Sequence, residues 1–202
     1  MRELAFRRAL AAFVPFAIGW VFLSLARAAE IDKCPDMIAG TPIWRAALAP
    51  GHAAITFVGH ATVRARAMHG DTHRLATPAE IESMKQMIEQ AMRDGALGLS
   101  SGLEYEIGKP ASTDELIALA RVASASGGIY ISHIRDEADE TFAALEEAIR
   151  IGSEAHLPVQ ISHIKLGSVA VWGRANDAVG LINKARARGQ DVTADCYPYD
   201  AW

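Results

Sequence analysis

From residue 50 onward, apolar positions along the chain follow two alternating rhythms. Short apolar and β-branched runs alternate with longer stretches in which apolar residues recur every three or four positions. The first pattern suits a strand covered on both faces, the second an amphipathic helix. AAITFVGH (53–60) opens the series as a buried strand, and a polar loop follows. TPAEIESMKQMIEQAMRDG (77–95) then reads as a helix. Thr77 and Glu80 have capping-box spacing, Pro78 takes the first helical position, Ile81, Met84, Ile88 and Met92 share a face, and Gly95 stops it. ALGLSSGLEY (96–105) predicts a strand and turn. STDELIALARVASASGG (112–128) repeats the helix logic: Ser112 and Glu115 cap, Leu116 and Leu119 face inward, Gly127 and Gly128 end it. GIYISHI (128–134) predicts a strand. A helix is expected over 138–155, with Phe142, Leu145 and Ile149 on one face. VQISHIK (159–165) is a strand, NDAVGLINKARARG (176–189) a helix and DVTADCYPY (191–199) a strand.

The order is βαβαβαβαβ, in units of about 30 to 40 residues. This implies an α/β fold with a parallel sheet and crossover helices. Two architectures fit, an open doubly wound sheet and a β/α barrel. No G-x-G-x-x-G or G-x-x-x-x-G-K-[ST] follows any strand, so neither nucleotide-binding signature is present. Polar residues gather where strands end: His60, Ser100, Ser101, His133, His163 and Asp195. In either architecture that edge carries the active site.

The tetrapeptide ISHI occurs twice, at 131–134 and 161–164. Side chains alternate across a strand, so His133, Arg135 and Glu137 share a direction if the chain stays extended, as do His163 and Lys165. On neighbouring strands in equal register, the two imidazoles reach one mouth. Two nitrogen ligands suit a divalent metal, zinc first. A lone histidine at a strand end is more often a hydrogen-bonded packing residue, and the repetition brings the ligand reading level with that one. His60 fits a loop or core histidine better than a ligand. His69, His73 and His156 read as solvated, and His52 has no supporting context.

The N-terminus breaks the pattern. MRELAFRR precedes an uncharged run over 9–26, then ARAAE. A basic head, an apolar middle and an A-x-A end are the layout of a secretory signal. Residues 1–29 are therefore read as a signal peptide or membrane anchor, 30–50 as an unassigned linker and 51–202 as a partial barrel. The chain is expected to be exported, periplasmic or membrane-anchored if this leader is genuine, and cytoplasmic otherwise. Of its 202 residues 50% are apolar, and the net charge is -4 with Lys and Arg scattered, so no nucleic-acid surface is expected. Two cysteines, Cys34 and Cys196, exclude a disulfide scaffold.

Seven motifs occur in order: FVGHATVR (57–64), TPAEIESM (77–84), GALGLSSGLEY (95–105), STDEL (112–116), GGIYISHIRDE (127–137), PVQISHIK (158–165) and DVTADCYPY (191–199). Together they resemble the central part of the D-aminoacylases, the N-acyl-D-amino-acid deacylases of the amidohydrolase superfamily, over about three quarters of the chain. The resemblance implies a partial TIM-type (β/α) barrel and zinc-dependent hydrolysis of the amide of a small N-acyl-D-amino acid. It implies that His133 and His163 bind the metal, that Lys165 holds the substrate carboxylate and that Tyr105 lines the substrate pocket. Without it, Lys165 reads as a solvated strand end and Tyr105 as a packed rim aromatic. The chain also departs from the family. It has no H-x-H, and Cys34 in DKCPD does not match the family's G-N-C-G context. No catalytic aspartate is assigned, because neither Asp195 nor Asp200 matches the family's motif. A full barrel has eight strands and about 250 residues. Five predicted strands therefore suggest a fragment with reduced or no activity of its own. Two rivals stay open: a cyclic amide hydrolase of dihydroorotase or hydantoinase type, which the absence of a suitably placed strand-end lysine disfavours, and a non-catalytic membrane-tethered barrel remnant.

Overall fold

The computed structural model describes residues 56–198. Strands and helices alternate as β1 (Val58–Gly59), α1 (His60–Ala67), α2 (Pro78–Arg93), β2 (Gly98–Gly102), α3 (Thr113–Ala125), β3 (Ile129–His133), α4 (Thr141–Ala155), β4 (Val159–Ile161), α5 (Ala175–Ala187) and β5 (Val192–Ala194). The five strands are parallel and lie in chain order, β1-β2-β3-β4-β5. That order separates the two architectures. A doubly wound sheet reverses direction and places helices on both faces, whereas a barrel wall advances one strand at a time with its helices on one face. Here consecutive helices pack on one another along the sheet, as in a barrel wall.

Local chemistry sets most element ends. At α2 the capping box is complete: the Glu80 N–H donates to Thr77 Oγ1 at 3.3 Å and the Thr77 N–H to Glu80 Oε2 at 2.7 Å. At α3 only half of the expected box forms. Ser112 Oγ accepts from the Glu115 N–H at 3.1 Å, but the Glu115 carboxylate turns inward to His60 and Arg64. Helix α4 starts at Thr141 rather than 138. Asp136 Oδ1 accepts from the N–H groups of Ala138 (2.8 Å) and Glu140 (3.0 Å), holding that stretch as a turn. Helix α1 replaces the first part of the expected polar loop. Its inward residues are His60, Val63, Arg64 and Ala67, at helical spacing but half polar, so hydrophobic periodicity conceals it. Strand β5 is shorter than the expected run. Residues 1–55, including the leader, the linker and the start of the first expected strand, lie outside the described residues, as do 199–202. Among the described residues no helix is long and apolar enough to cross a membrane.

Leu99, Tyr130, Val159 and Val192 stand in register across four strands, and all are buried. They form one core with Met84, Ile88, Leu116, Leu119, Leu145 and Ile151 of the helices. Each fully buried aliphatic side chain contributes about 1.5–3 kcal/mol. Gly98 is required where β2 meets β3, since a Cβ there would lie 1.9 Å from the Ile129 carbonyl oxygen. The expectation of strands apolar on both faces is corrected on the opposite face. There the register runs Ser100, Ile131, Gln160, Thr193. Polar side chains are held by one another: the Thr193 hydroxyl donates to Gln160 Oε1, and the Gln160 amide donates to Asp195 Oδ2 at 2.7 Å.

Candidate metal centre

Strand β3 delivers His133 as its last residue, beside Gly102 of β2. Strand β4 ends at Ile161, and His163 follows in a tight turn with φ +41°. A non-glycine residue in this left-handed region is strained by about 1–2 kcal/mol. Asp195, just beyond β5, holds the turn in place. Its Oδ1 accepts from the His163 N–H at 2.6 Å and its carbonyl from the Ile164 N–H at 2.7 Å. The result brings His133 Nδ1 to 3.0 Å from His163 Nε2. Two nitrogens about 2.05 Å from a tetrahedral zinc would stand about 3.3 Å apart, a few tenths of an ångström wider.

Glu137 completes the group. Nitrogens of His133 and His163 and a Glu137 carboxylate oxygen all lie within 4.8 Å of one another. Oε1 is 2.9 Å from His163 Nδ1 and 3.7 Å from His133 Nδ1. At 2.9 Å the separation suits a hydrogen bond, but the geometry does not, and among the described residues this buried oxygen accepts none. Lys165 Nζ lies 3.0 Å from the same His163 Nδ1 and donates to Glu137 Oε2 at 2.5 Å. Burial pushes the Glu137 carboxyl up, but His163 and Lys165 outweigh it and hold the group below the usual carboxylate range. An ionised oxygen buried without a donor, beside two imidazoles, is a donor set that fits a divalent cation.

Two tyrosines flank the imidazoles. Tyr105 stacks on His133 with ring centroids 4.6 Å apart and Oη 3.5 Å from Nδ1. Gly102 makes room for it, since a Cβ there would stand 2.6 Å from the Tyr105 ring. Tyr197 stacks on His163 at 5.4 Å, and the Lys165 ammonium sits 5.1 Å from the Tyr197 ring centroid. On the far side of His133, Glu104 Oε2 lies 2.8 Å from Nε2.

His133, His163, Lys165 and Tyr105 are thus brought together at one sheet edge. Arg135 is not. The expected shared direction of His133, Arg135 and Glu137 fails because the strand ends at His133. Arg135 instead pairs with Glu147 at 2.7 Å and donates to the carbonyls of Lys109 and Ala111. Glu137 reaches the centre through a turn. Glu137, Glu104 and Tyr197 escaped sequence reasoning as site residues. Their signals were weak ones: four positions after His133, adjacent to Tyr105, and inside the last strand motif. His60 is a core histidine, wholly buried, with Nε2 2.9 Å from Glu115 Oε1. His69, His73 and His156 are exposed, as is Cys196. Ser101 bonds Tyr130 and Ser132, not the imidazoles. Cys34 and His52 lie outside the described residues.

No protein-family model matches the chain. Individual proteins do. A D-aminoacylase of Alcaligenes xylosoxydans xylosoxydans is 47% identical over 148 residues, covering 73% of this chain and 30% of that protein. A crystal structure of a D-aminoacylase, described as defining a novel subset of amidohydrolases, superposes with a TM-score of 0.68 at 43% identity, covering 71% of this chain and 30% of the other. The N-acyl-D-glutamate deacylase of Bordetella bronchiseptica, solved with zinc and a phosphonate mimic of the tetrahedral intermediate, superposes at 0.69 with 40% identity, covering 72% and 30%. The chain therefore spans about a third of the length of the relatives it matches.

Proposed function

Because the chain belongs, over the central part these relatives share, to the D-aminoacylase family of amidohydrolases, we propose that its His133–Glu137–His163 centre binds zinc and serves amide hydrolysis of N-acyl-D-amino acids. The observation that carries this reading is the buried Glu137 oxygen, which accepts no hydrogen bond from the described residues and faces two converging imidazoles. His133 offers Nδ1 and His163 offers Nε2, the pair of nitrogens 3.0 Å apart. A zinc ion bound there supplies Lewis acidity, polarising the scissile carbonyl and acidifying water.

The remaining residues bind and orient. The Lys165 ammonium stands beside the centre, where it pairs with the substrate carboxylate by a charge-assisted hydrogen bond. A neutral amide lacks that carboxylate, so this contact selects for acyl amino acids. Tyr105 and Tyr197 form aromatic walls on either side of the imidazoles. Among the described residues, Glu137 and Glu104 are the carboxylates paired with the imidazoles, and Asp195 is engaged by the His163 backbone and Gln160. No general base is assigned among the described residues.

The test is zinc stoichiometry by elemental analysis, with wild type beside His133→Ala and His163→Ala. Bound zinc that disappears in both variants supports the reading and justifies assaying amine release from N-acetyl-D-amino acids. A folded wild type that retains no zinc after dialysis against the metal overturns it.

A further inference from the structure

We propose that Glu104 is a positioning residue that fixes the tautomer of His133 and so decides which ring nitrogen is offered to the metal. The inference rests on the zinc reading above. A neutral imidazole carries one N–H and one lone pair. The two nitrogens of His133 face different surroundings. Nε2 meets Glu104 Oε2 at 2.8 Å. Nδ1 meets His163 Nε2 at 3.0 Å, Tyr105 Oη at 3.5 Å and Glu137 Oε1 at 3.7 Å.

Two carboxylates therefore compete for one proton. A carboxylate only accepts, so each draws the ring proton to the nitrogen it faces. Glu104 is nearer by 0.9 Å, the difference between 3.7 Å for Glu137 and 2.8 Å for Glu104. It also makes a real hydrogen bond, while Glu137 Oε1 makes none. The proton stays on Nε2, and the Nδ1 lone pair points at His163 and Glu137. Without Glu104 no carboxylate among the described residues holds the proton on Nε2, and Nδ1, which faces His163 Nε2 at 3.0 Å and Glu137 Oε1 at 3.7 Å, can carry it and donate to His163. The metal-binding electron pair is then occupied. Carboxylates that accept from a ligating histidine typically change metal affinity 10–100-fold. Glu104 is 43% exposed at its side chain, so the lower end of that range is expected here.

The experiment uses the full chain. Long-range proton–nitrogen correlation spectra of 15N-labelled, metal-free protein report the tautomer of His133. Zinc affinity is measured in parallel by competition with a chelator. Wild type is expected to show the Nε2–H form. Glu104→Ala is expected to populate the Nδ1–H form and weaken zinc about tenfold. Glu104→Gln, which keeps an acceptor oxygen, is expected to fall between the two. Circular dichroism of each variant monitors the fold. A wild type already mixed in tautomer, or a Glu104→Ala that keeps the Nε2–H form, overturns the proposal. A wild type that binds no zinc defeats the zinc reading, and the tautomer spectra of the metal-free chain still decide the role of Glu104.

Discussion

Glu115→Ala is expected to destabilise the fold by about 3–5 kcal/mol. The carboxylate is 1% exposed and joins the start of α3 to α1. Oε1 lies 2.9 Å from His60 Nε2, and Oε2 accepts from Arg64 Nη1. Arg64 is itself wholly buried. Without Glu115 its guanidinium keeps, among the described residues, only the backbone carbonyls of Thr72 and Arg74. The loss is not the Coulomb attraction of the pair, most of which desolvation already offsets. It is the penalty of an uncompensated buried charge, and Arg64 Nε and His60 Nδ1 already lack partners among the described residues. For a domain of this size about 1 kcal/mol shifts Tm by roughly 2–4 °C, so Tm should fall by about 6–20 °C. Thermal and urea unfolding followed by circular dichroism measure this. Arg64→Met combined with Glu115→Leu removes both charges at similar volume and should recover most of the loss. A Glu115→Ala variant within about 1 kcal/mol of wild type, or a double variant no better than the single, refutes the argument. A pH dependence follows too. Burial pushes the Glu115 carboxyl up, but hydrogen bonds from His60 and Arg64 outweigh it and hold it below its ordinary 4.5. A depressed folded pKa adds stability that is complete above about 4.5 and is lost as pH falls through the folded value. Glu115→Gln should flatten that acid limb.

Other outcomes are expected at single positions. Gly98→Ala puts a Cβ 1.9 Å from the Ile129 carbonyl oxygen, in paired backbone that cannot yield. Its loss should reach about 3 kcal/mol or prevent folding, and a soluble variant with unchanged urea midpoint would contradict the β2–β3 geometry. Gly102→Ala meets the Tyr105 ring at 2.6 Å, but Tyr105 is 62% exposed and can swing away. Stability should change by less than about 1 kcal/mol, while the ring-current shift of Tyr105 on His133 disappears; a retained shift refutes the stacking. Thr77→Ala removes the α2 cap and should lower stability by about 1 kcal/mol in urea titration. Lys165→Met removes a charged hydrogen bond worth about 1.5–3 kcal/mol, so calorimetric titration should show N-acetyl-D-amino acid binding about 10–150-fold weaker. Equal binding by both proteins would rule out Lys165 as the carboxylate partner.

Some of this protein is legible in residues alone, and the reason is range. The α2 cap needs only Thr77 and Glu80, three positions apart, so spacing is enough to read it. The alternation of strand and helix periods predicts the α/β class for the same reason, because each element carries its own pattern. The repeated ISHI marks His133 and His163, and the ordered motifs place Lys165 and Tyr105 beside them. Other features depend on partners far along the chain. Helix α1 presents His60 and Arg64 inward, which is tolerable only because Glu115, 55 and 51 residues away, comes to meet them. No hydrophobic pattern carries that information. Strand alternation places Arg135 beside Glu137, but Glu147 captures Arg135 once α4 packs, and the turn after His133 swings Glu137 to the imidazoles alone. Whether the sheet is doubly wound or barrel-like is settled by strand order, a property of long-range pairing. The sequence by itself determined the elements other than α1 and marked the two histidines, since these rest on patterns within a few residues. Only the tertiary structure decided how they converge, because burial of Arg64, Glu115 and Glu137 is stable only when distant charges arrive together.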